Sequence, residues 1–273
     1  MKHLFCLICC WGCLFIRSQH LPDPLLSAVA GMGAYGHSNT DVFGMLLNPA
    51  SVANSATFST GIYGERKYLL EGLQQFCGLL QFPLLKSGLG FQLDYVGSAL
   101  MNETALGMVY GKMLGDRLSM GLRFQYYQLQ VPGYVRAPAL WAGAGLLFQL
   151  TPQLQTGFSF TRSAKPQLHS SEPPLTQVYR FGMGYEPSQR VCISTDWIKE
   201  TNKDLMGTIS LRYAFEEGFR LRLAWQTTTQ QPVAGAGLYW KGTWTDLLIS
   251  YHPHLGFTPA FQMSWNASGK KSN

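Results

Sequence analysis

The stretch RLSMGLRFQY, Arg117 to Tyr126, alternates without a break. Leu118, Met120, Leu122, Phe124 and Tyr126 fall on one face, and Ser119, Gly121, Arg123 and Gln125 on the other. A period of two is the mark of a β-strand with one apolar and one polar side. FRLRLAWQ (219–226) repeats the pattern, setting Phe219, Leu221, Leu223 and Trp225 against Arg220, Arg222 and Gln226. So do GTISLRYAF (207–215) and the C-terminal FQMSWN (261–266). Helical spacing fits few windows.

Extending the reading gives about fourteen strands. They fall near 56–64, 72–82, 87–97, 103–113, 117–130, 138–149, 153–162, 177–186, 189–198, 205–215, 218–228, 232–241, 244–251 and 258–267. ERKYLLEGLQQF (65–76) is ambiguous and can also hold a short helix. One strand breaks phase, because after Tyr126 the apolar positions become Tyr127, Leu129 and Val131. Either a bulge shifts the register there or the strand has left the apolar layer.

Composition says where such strands reside. Only 13% of residues are charged, against about 25% in an ordinary soluble domain. Mean hydropathy is -0.01. A chain this poor in charge cannot cover a large water-facing surface, but an outer face that meets lipid needs no such cover. Strands of about 9–11 residues with alternating faces are those of a transmembrane barrel. The turns sort accordingly. Every second connection is tight (PLLKS, LGD, LTPQ, EPSQ, EEG, KGT), while the other set includes VPGYVRA and SAKPQLHSSEPPLT. Short turns at one end and longer loops at the other are expected of a barrel whose termini share one side. A secreted soluble β protein is the competing class.

The first residues read as a secretory leader. Lys2 precedes an apolar run from Leu4 to Ile16, too short to span a bilayer as a helix. Cleavage is expected near Ser18–Gln19. A lipoprotein reading of the same segment uses Cys13. Losing the leader removes Lys2 and Arg17 and no acid, which lowers the formal charge from +6 to +4. Only Cys77 and Cys192 then remain, too few for a disulfide framework or a metal site. No basic run exists beyond Gly269-Lys270-Lys271, so no nucleic-acid partner is expected. The organisation is thus a leader at 1–19, an N-terminal segment at 20–55, a barrel at 56–267 and a polar tail at 268–273.

The two faces take on roles. Outward residues meet outer-membrane lipid. Inward, lumen-lining residues include Arg123, Arg180, Arg212, Arg220 and Arg222 with Asp94, Asp196 and Asp246. They either pair across the lumen or line a polar path. No enzyme motif is present: there is no GxSxG, no HExxH and, after the leader, no CxxC. His252 and His254 flank Pro253, and His169 lies in another loop; they read as loop residues, and no cofactor or metal is expected.

Ahead of the barrel, GMGAYG (31–36) leads to TDVFGMLLNPASVANS (40–55). That order, followed by GSALMNETALGMVYGKMLGDRLSMGLRFQYYQLQV (97–131), resembles the FadL-like outer-membrane proteins, and within them the PorV/PorQ-type group of Bacteroidetes. The resemblance implies a fourteen-strand barrel with the N-terminal segment folded into the lumen as a hatch. Phe43, Leu46, Asn48, Pro49 and Ala50 are its candidate residues. Pro49 restricts Asn48 to extended conformations, so the chain should turn there. In FadL-like transporters the hatch controls passage of hydrophobic small molecules. In PorV-like proteins the barrel is a partner in type IX secretion or surface attachment. This chain lacks the long external loops of the transporters.

Overall fold

The computed structural model describes residues 35–36, 41–98, 101–131, 133, 135–164, 176–215 and 218–267. The leader, most of GMGAYG, His169 and the 268–273 tail lie outside the described residues. Two short elements come first: the helical turn α1 (Gly44–Leu47) and a 3-10 turn (Pro49–Asn54). Seven strands follow: β1 (Ser59–Arg66), β2 (Gln74–Leu84), β3 (Ser87–Gly97), β4 (Asn102–Met113), β5 (Leu118–Val131), β6 (Val135–Gln149) and β7 (Leu154–Ala164). The second seven are β8 (Gln177–Ser188), β9 (Val191–Glu200), β10 (Met206–Ala214), β11 (Phe219–Gln226), β12 (Gln231–Trp240), β13 (Thr243–His252) and β14 (Gly256–Asn266). Each strand pairs antiparallel with its sequence neighbours, and β1 closes on β14. The result is a closed fourteen-strand barrel with no free edge.

Alternation fixes which face is which. In β4, Leu106, Met108 and Tyr110 are exposed while Ala105, Gly107 and Val109 are buried. The outer face is apolar all round, with Phe76, Leu93, Phe124, Phe181, Leu223 and Leu247 among its exposed side chains. Water would not tolerate such a belt, whereas lipid does. Exposed Tyr and Trp gather in two rings. Tyr185, Trp240 and Trp265 stand near the end that carries the C-terminus, and Tyr179, Trp197 and Trp225 near the opposite end. Aromatics at both edges of an apolar belt are what two membrane interfaces favour. A shallow groove of about 910 Å³ crosses the outer face of β1–β6 over Gly78, lined by Ile62, Leu80, Leu106 and Leu140.

Turn geometry agrees with the sorting in the sequence. Two residues join β2 to β3, β8 to β9 and β12 to β13 at the terminal end. Lys241 and Gly242 both have positive φ (46° and 86°), the twist that a two-residue hairpin turn needs. At the far end, Lys67–Leu69 forms a short 3-10 turn within the ambiguous ERKYLLEGLQQF segment.

One strand boundary and one of two alternatives need correcting. Strand β1 begins at Ser59 rather than 56. The phase break after Tyr126 involves no bulge, since β5 keeps unbroken register with both β4 and β6 through Tyr127. Tyr127 turns inward and packs with Ala105 and Ala139, flanked by Leu129 and Trp141. The inward residues of β5 and β6 form a local apolar patch there, beside Glu103 of β4, which faces Leu129 in register. Among the described residues the register shift lies in β8, between Tyr185 and Ser188. Pro187 falls inside it, as suits a residue with no ladder N–H to give.

If the belt faces lipid, depth decides the cost of a charge. Leu106→Arg, at an outward mid-strand position, should destabilise the lipid-refolded barrel by about 2–4 kcal/mol. Thr245→Arg, near the terminal rim, should cost about 0–1 kcal/mol. Urea titration reads both, and equal costs would contradict a lipid-facing belt.

Candidate functional site

The described part of the N-terminal segment lies against the inner wall, toward the terminal end. Its course is set locally. Gly44 N–H donates to the Asp41 carbonyl at 2.9 Å, and Asn48 N–H to the Gly44 carbonyl at 3.1 Å, which closes α1. Asn48 is extended (φ -142°, ψ 119°), as a residue before proline must be. Pro49 then starts the 3-10 turn, where its missing N–H costs nothing.

Asn48 is fully buried and uses its whole amide. Its Oδ1 accepts from Ala50 N–H at 3.0 Å. Its Nδ2 donates to the carbonyls of Leu146 (2.9 Å) and Phe158 (3.2 Å), which face each other across β6 and β7. Other wall groups hold the segment's backbone. The Arg123 guanidinium donates to the Met45 carbonyl and, at 3.3 Å, to that of Leu46. Ser159 Oγ donates to the Leu47 carbonyl at 3.1 Å.

Apolar contacts do most of the filling. Val42, Phe43, Met45, Leu46 and Val52 form one buried cluster with Tyr63, Leu79, Val109, Leu248 and Ala260 of the wall. Leu47 and Ala50 join Tyr35 and Leu147 in a second. Burying a large aliphatic or aromatic side chain is worth about 1.5–3 kcal/mol. The five segment residues of the first cluster therefore contribute on the order of 10 kcal/mol.

What admits the segment is a row of glycines. Gly88, Gly111, Gly121 and Gly145 are register partners across β3, β4, β5 and β6, all facing inward. A Cβ on Gly121 would collide with the Pro49–Ala50 backbone, and one on Gly88 with the Val52 carbonyl. At Gly111 it would stand 2.7 Å from a Val52 methyl, and at Gly145 2.8 Å from the Pro49 ring. Gly182 and Gly184 of β8 make the same room for Tyr35, whose hydroxyl donates to Asp196 at 3.2 Å. Glycine inside a strand costs about 0.5–1 kcal/mol relative to alanine. Four in one row forfeit about 2–4 kcal/mol, less than the burial they make available.

The eight ionic residues named from the sequence are distributed unevenly. Arg220 grips Asp246 with two hydrogen bonds, of 2.7 and 2.5 Å, reaching across β12 at Gly237, where no side chain intervenes. Arg222 lies 3.3 Å from the same carboxylate and 3.8 Å from Asp41 of the segment. Trp244 stacks under the Arg220 guanidinium at 4.1 Å. Arg180 pairs with Asp196 at 3.7 Å, and Arg212 with Glu186 at 3.8 Å. Asp94 is buried among Gln92 and Gln125 on the opposite wall. Arg123 binds backbone of the segment. These groups thus do not converge on one centre: four arginines of β8–β11 are matched by carboxylates.

The sequence reading left several residues out. Tyr35, Asp41, Glu186 and the glycine row all bear on the segment's seat. Asp41 stands inside the quoted stretch, but nothing local to it points to Arg222 as its partner. The glycines carry a signal only once register aligns them. His252 and His254 sit at the far rim, with the His254 N–H donating to His252 Nδ1 at 3.2 Å. No group of metal-ligating side chains occurs among the described residues.

Comparison with solved structures now has a geometry to meet. The CymD monoaromatic hydrocarbon channel superposes with a TM-score of 0.60 at 11% identity, over 86% of this chain and 96% of that one. The fold is that of the FadL-like outer-membrane barrels. A FadL homologue from Pseudomonas aeruginosa gives a TM-score of 0.53 at 10% identity, over 88% and 96% of the two chains. The toluene transporter TodX of Pseudomonas putida gives 0.52 at 10%, over 86% and 96%. No protein-family model and no curated protein matches the sequence. The likeness is one of fold.

The glycine row makes a direct prediction. Gly121→Val should displace Pro49 and Ala50 and leave the strands paired. A thiol placed by Ala50→Cys should then react at least about tenfold faster with a soluble maleimide than in the Gly121 parent, given how fully Ala50 is buried. Gly107→Ala, whose Cβ would have the side chains of Gln92 and Gln125 as its nearest neighbours, should leave the rate unchanged.

Proposed function

We propose that this protein is an outer-membrane barrel of a Gram-negative bacterium that mediates passage of small hydrophobic solutes. The signal peptide (1–19) is removed, and residues 20–55 act as a luminal hatch. The observation that carries the reading is a separate, apolar segment seated on glycines inside a barrel with a lipid-compatible exterior. Such a seat has a purpose if the lumen must be closed in one state and open in another. That structural neighbours include a monoaromatic hydrocarbon channel and a toluene transporter favours the same solute class.

The energetics shape how passage would work. Expelling the whole segment into water would forfeit on the order of 10 kcal/mol, so spontaneous expulsion is negligible. A shift within the lumen that trades the glycine seat for other apolar wall costs far less. The hydrogen bonds of Asn48 and the Asp41–Arg222 pair are the contacts such a shift would break first. The lumen-lining charges of β8–β11 are paired and serve to stiffen the wall rather than to line a path.

The tightness of that seat also favours a second reading. A barrel sealed by a well-fitted segment suits a non-transport role, as a type IX secretion or surface-attachment partner of the PorV/PorQ kind. Short far-end connections such as 227–230 and 253–255 fit it as well.

Replacing residues 42–54 by a Gly/Ser linker separates the two. The transport reading expects cells carrying the replaced barrel to take up a hydrophobic fluorophore several-fold faster than cells carrying the parent. Unchanged uptake, together with recovery of a secretion component by pull-down on the parent barrel, would sink it.

A further inference from the structure

The groove on the outer face has a regular plan. It follows one line of register across six strands, from β1 to β6. One ridge of outward side chains runs from Thr60 through Leu80 and Phe91 to Ala142, and the other from Ile62 through Gly78 and Leu93 to Leu140. Neighbouring outward rows stand about 7 Å apart, and six strands span about 24 Å. The line also climbs. Thr60 is one residue from the terminal end of β1, whereas Ala142 is seven from that of β6. Strands tilted by about 35–45° give it a rise of about 15 Å, half of a hydrocarbon core about 30 Å thick.

Gly78 sets this trough apart. It interrupts the second ridge between the exposed Ile62 and Leu93 of the flanking strands. A Cβ on Gly78 would have no atom of the protein within 4 Å. The inward glycines that seat the segment are required by what lies on them, but nothing inside the protein requires this one. Glycine within a strand costs stability, and here it leaves a gap in the apolar belt. The trough also offers few polar groups. Thr60 gives its hydroxyl to the Leu79 carbonyl at 3.0 Å, and Gln92 and Gln125 of the floor turn their amides to Asp94 inside. A peptide lying there would leave its backbone N–H and C=O groups without partners. A hydrocarbon chain needs none, and the trough is continuous with the lipid-facing belt. Its lower mouth opens beside Trp265, the register partner of Thr60 and a member of the aromatic ring at the terminal end.

We propose that the trough binds one acyl chain of a phospholipid from the leaflet on the side of the chain termini. The head group stays at the interface beside Trp265. The chain follows the trough past Gly78 toward Leu140, and its methylenes fill the gap in the ridge. One chain suits the width between the ridges, and one leaflet matches the rise. The site depends on the lipid-facing belt and not on transport, so it belongs equally to a conducting barrel and to a sealed one.

Native mass spectrometry of the full chain in detergent, titrated with palmitoyl-oleoyl-phosphatidylethanolamine, tests it. The parent barrel should take up one lipid more tightly than any further ones. Gly78→Leu closes the gap and should weaken that first lipid about tenfold. Ala236→Leu adds bulk at an outward position of β12, outside the trough, and should change nothing. Palmitoyl-lysophosphatidylethanolamine, with a single chain, should compete for the same place, and its octanoyl counterpart at least about tenfold less well. Heat-modifiable gel mobility shows that each variant is folded. Equal lipid affinity in the parent and in folded Gly78→Leu would overturn the site. So would a dimer of the parent that Gly78→Leu abolishes, because the trough would then be an interface between copies. Solute uptake after hatch replacement is a separate readout: a failure of transport leaves the lipid site standing, and a failure here leaves transport standing.

Discussion

Backbone lies on backbone where Pro49 and Ala50 cross Gly121, and no side chain fits between them. This contact depends on four strands keeping their register, so that Gly88, Gly111, Gly121 and Gly145 form one level shelf. A slip of one residue in any of those strands would turn that strand's inward glycine to lipid and raise a side chain under the segment. The shelf sets how deep the segment can sit. Its depth in turn lets Asn48 reach two wall carbonyls and brings Asp41 to Arg222.

The opposite wall works by charge rather than by shape. Arg220 and Arg222 are two residues apart on β11, so both face inward, and Asp246 on β13 answers both. Two like charges so close would repel, and burial raises the cost. Asp246 offsets most of it, Gln262 accepts a further hydrogen bond from Arg222, and Asp41 adds a second negative charge 3.8 Å away. The segment is thereby held between a shelf of glycines and a post of arginines. These are different physical devices acting on one segment.

Much of this architecture could be read in the sequence, for a definite reason. Alternation is local, so RLSMGLRFQY and FRLRLAWQ announce both strand and facing without any partner. The same rule put Arg123, Arg180, Arg212, Arg220, Arg222, Asp94, Asp196 and Asp246 on one face. Which arginine meets which carboxylate was hidden, because pairing across β12 depends on Gly237 having no side chain. The phase break at Tyr127 misled for a related reason. Its apolar residues suggest a change of face, whereas they belong to a local apolar patch on the inner side of β5 and β6. The glycine shelf was invisible because its members are spread from 88 to 145 and coincide only in register.

The central claim is that residues 42–54 are a fixed part of the barrel interior at rest. Amide hydrogen exchange on the full chain in lipid nanodiscs measures this directly. The account predicts that Asn48 N–H and Ala50 N–H, bonded to the Gly44 carbonyl and to Asn48 Oδ1, exchange about as slowly as the amides of β5 beneath them. Exchange of the 42–54 amides at the rate of an unstructured peptide, with the strands still protected, would contradict it.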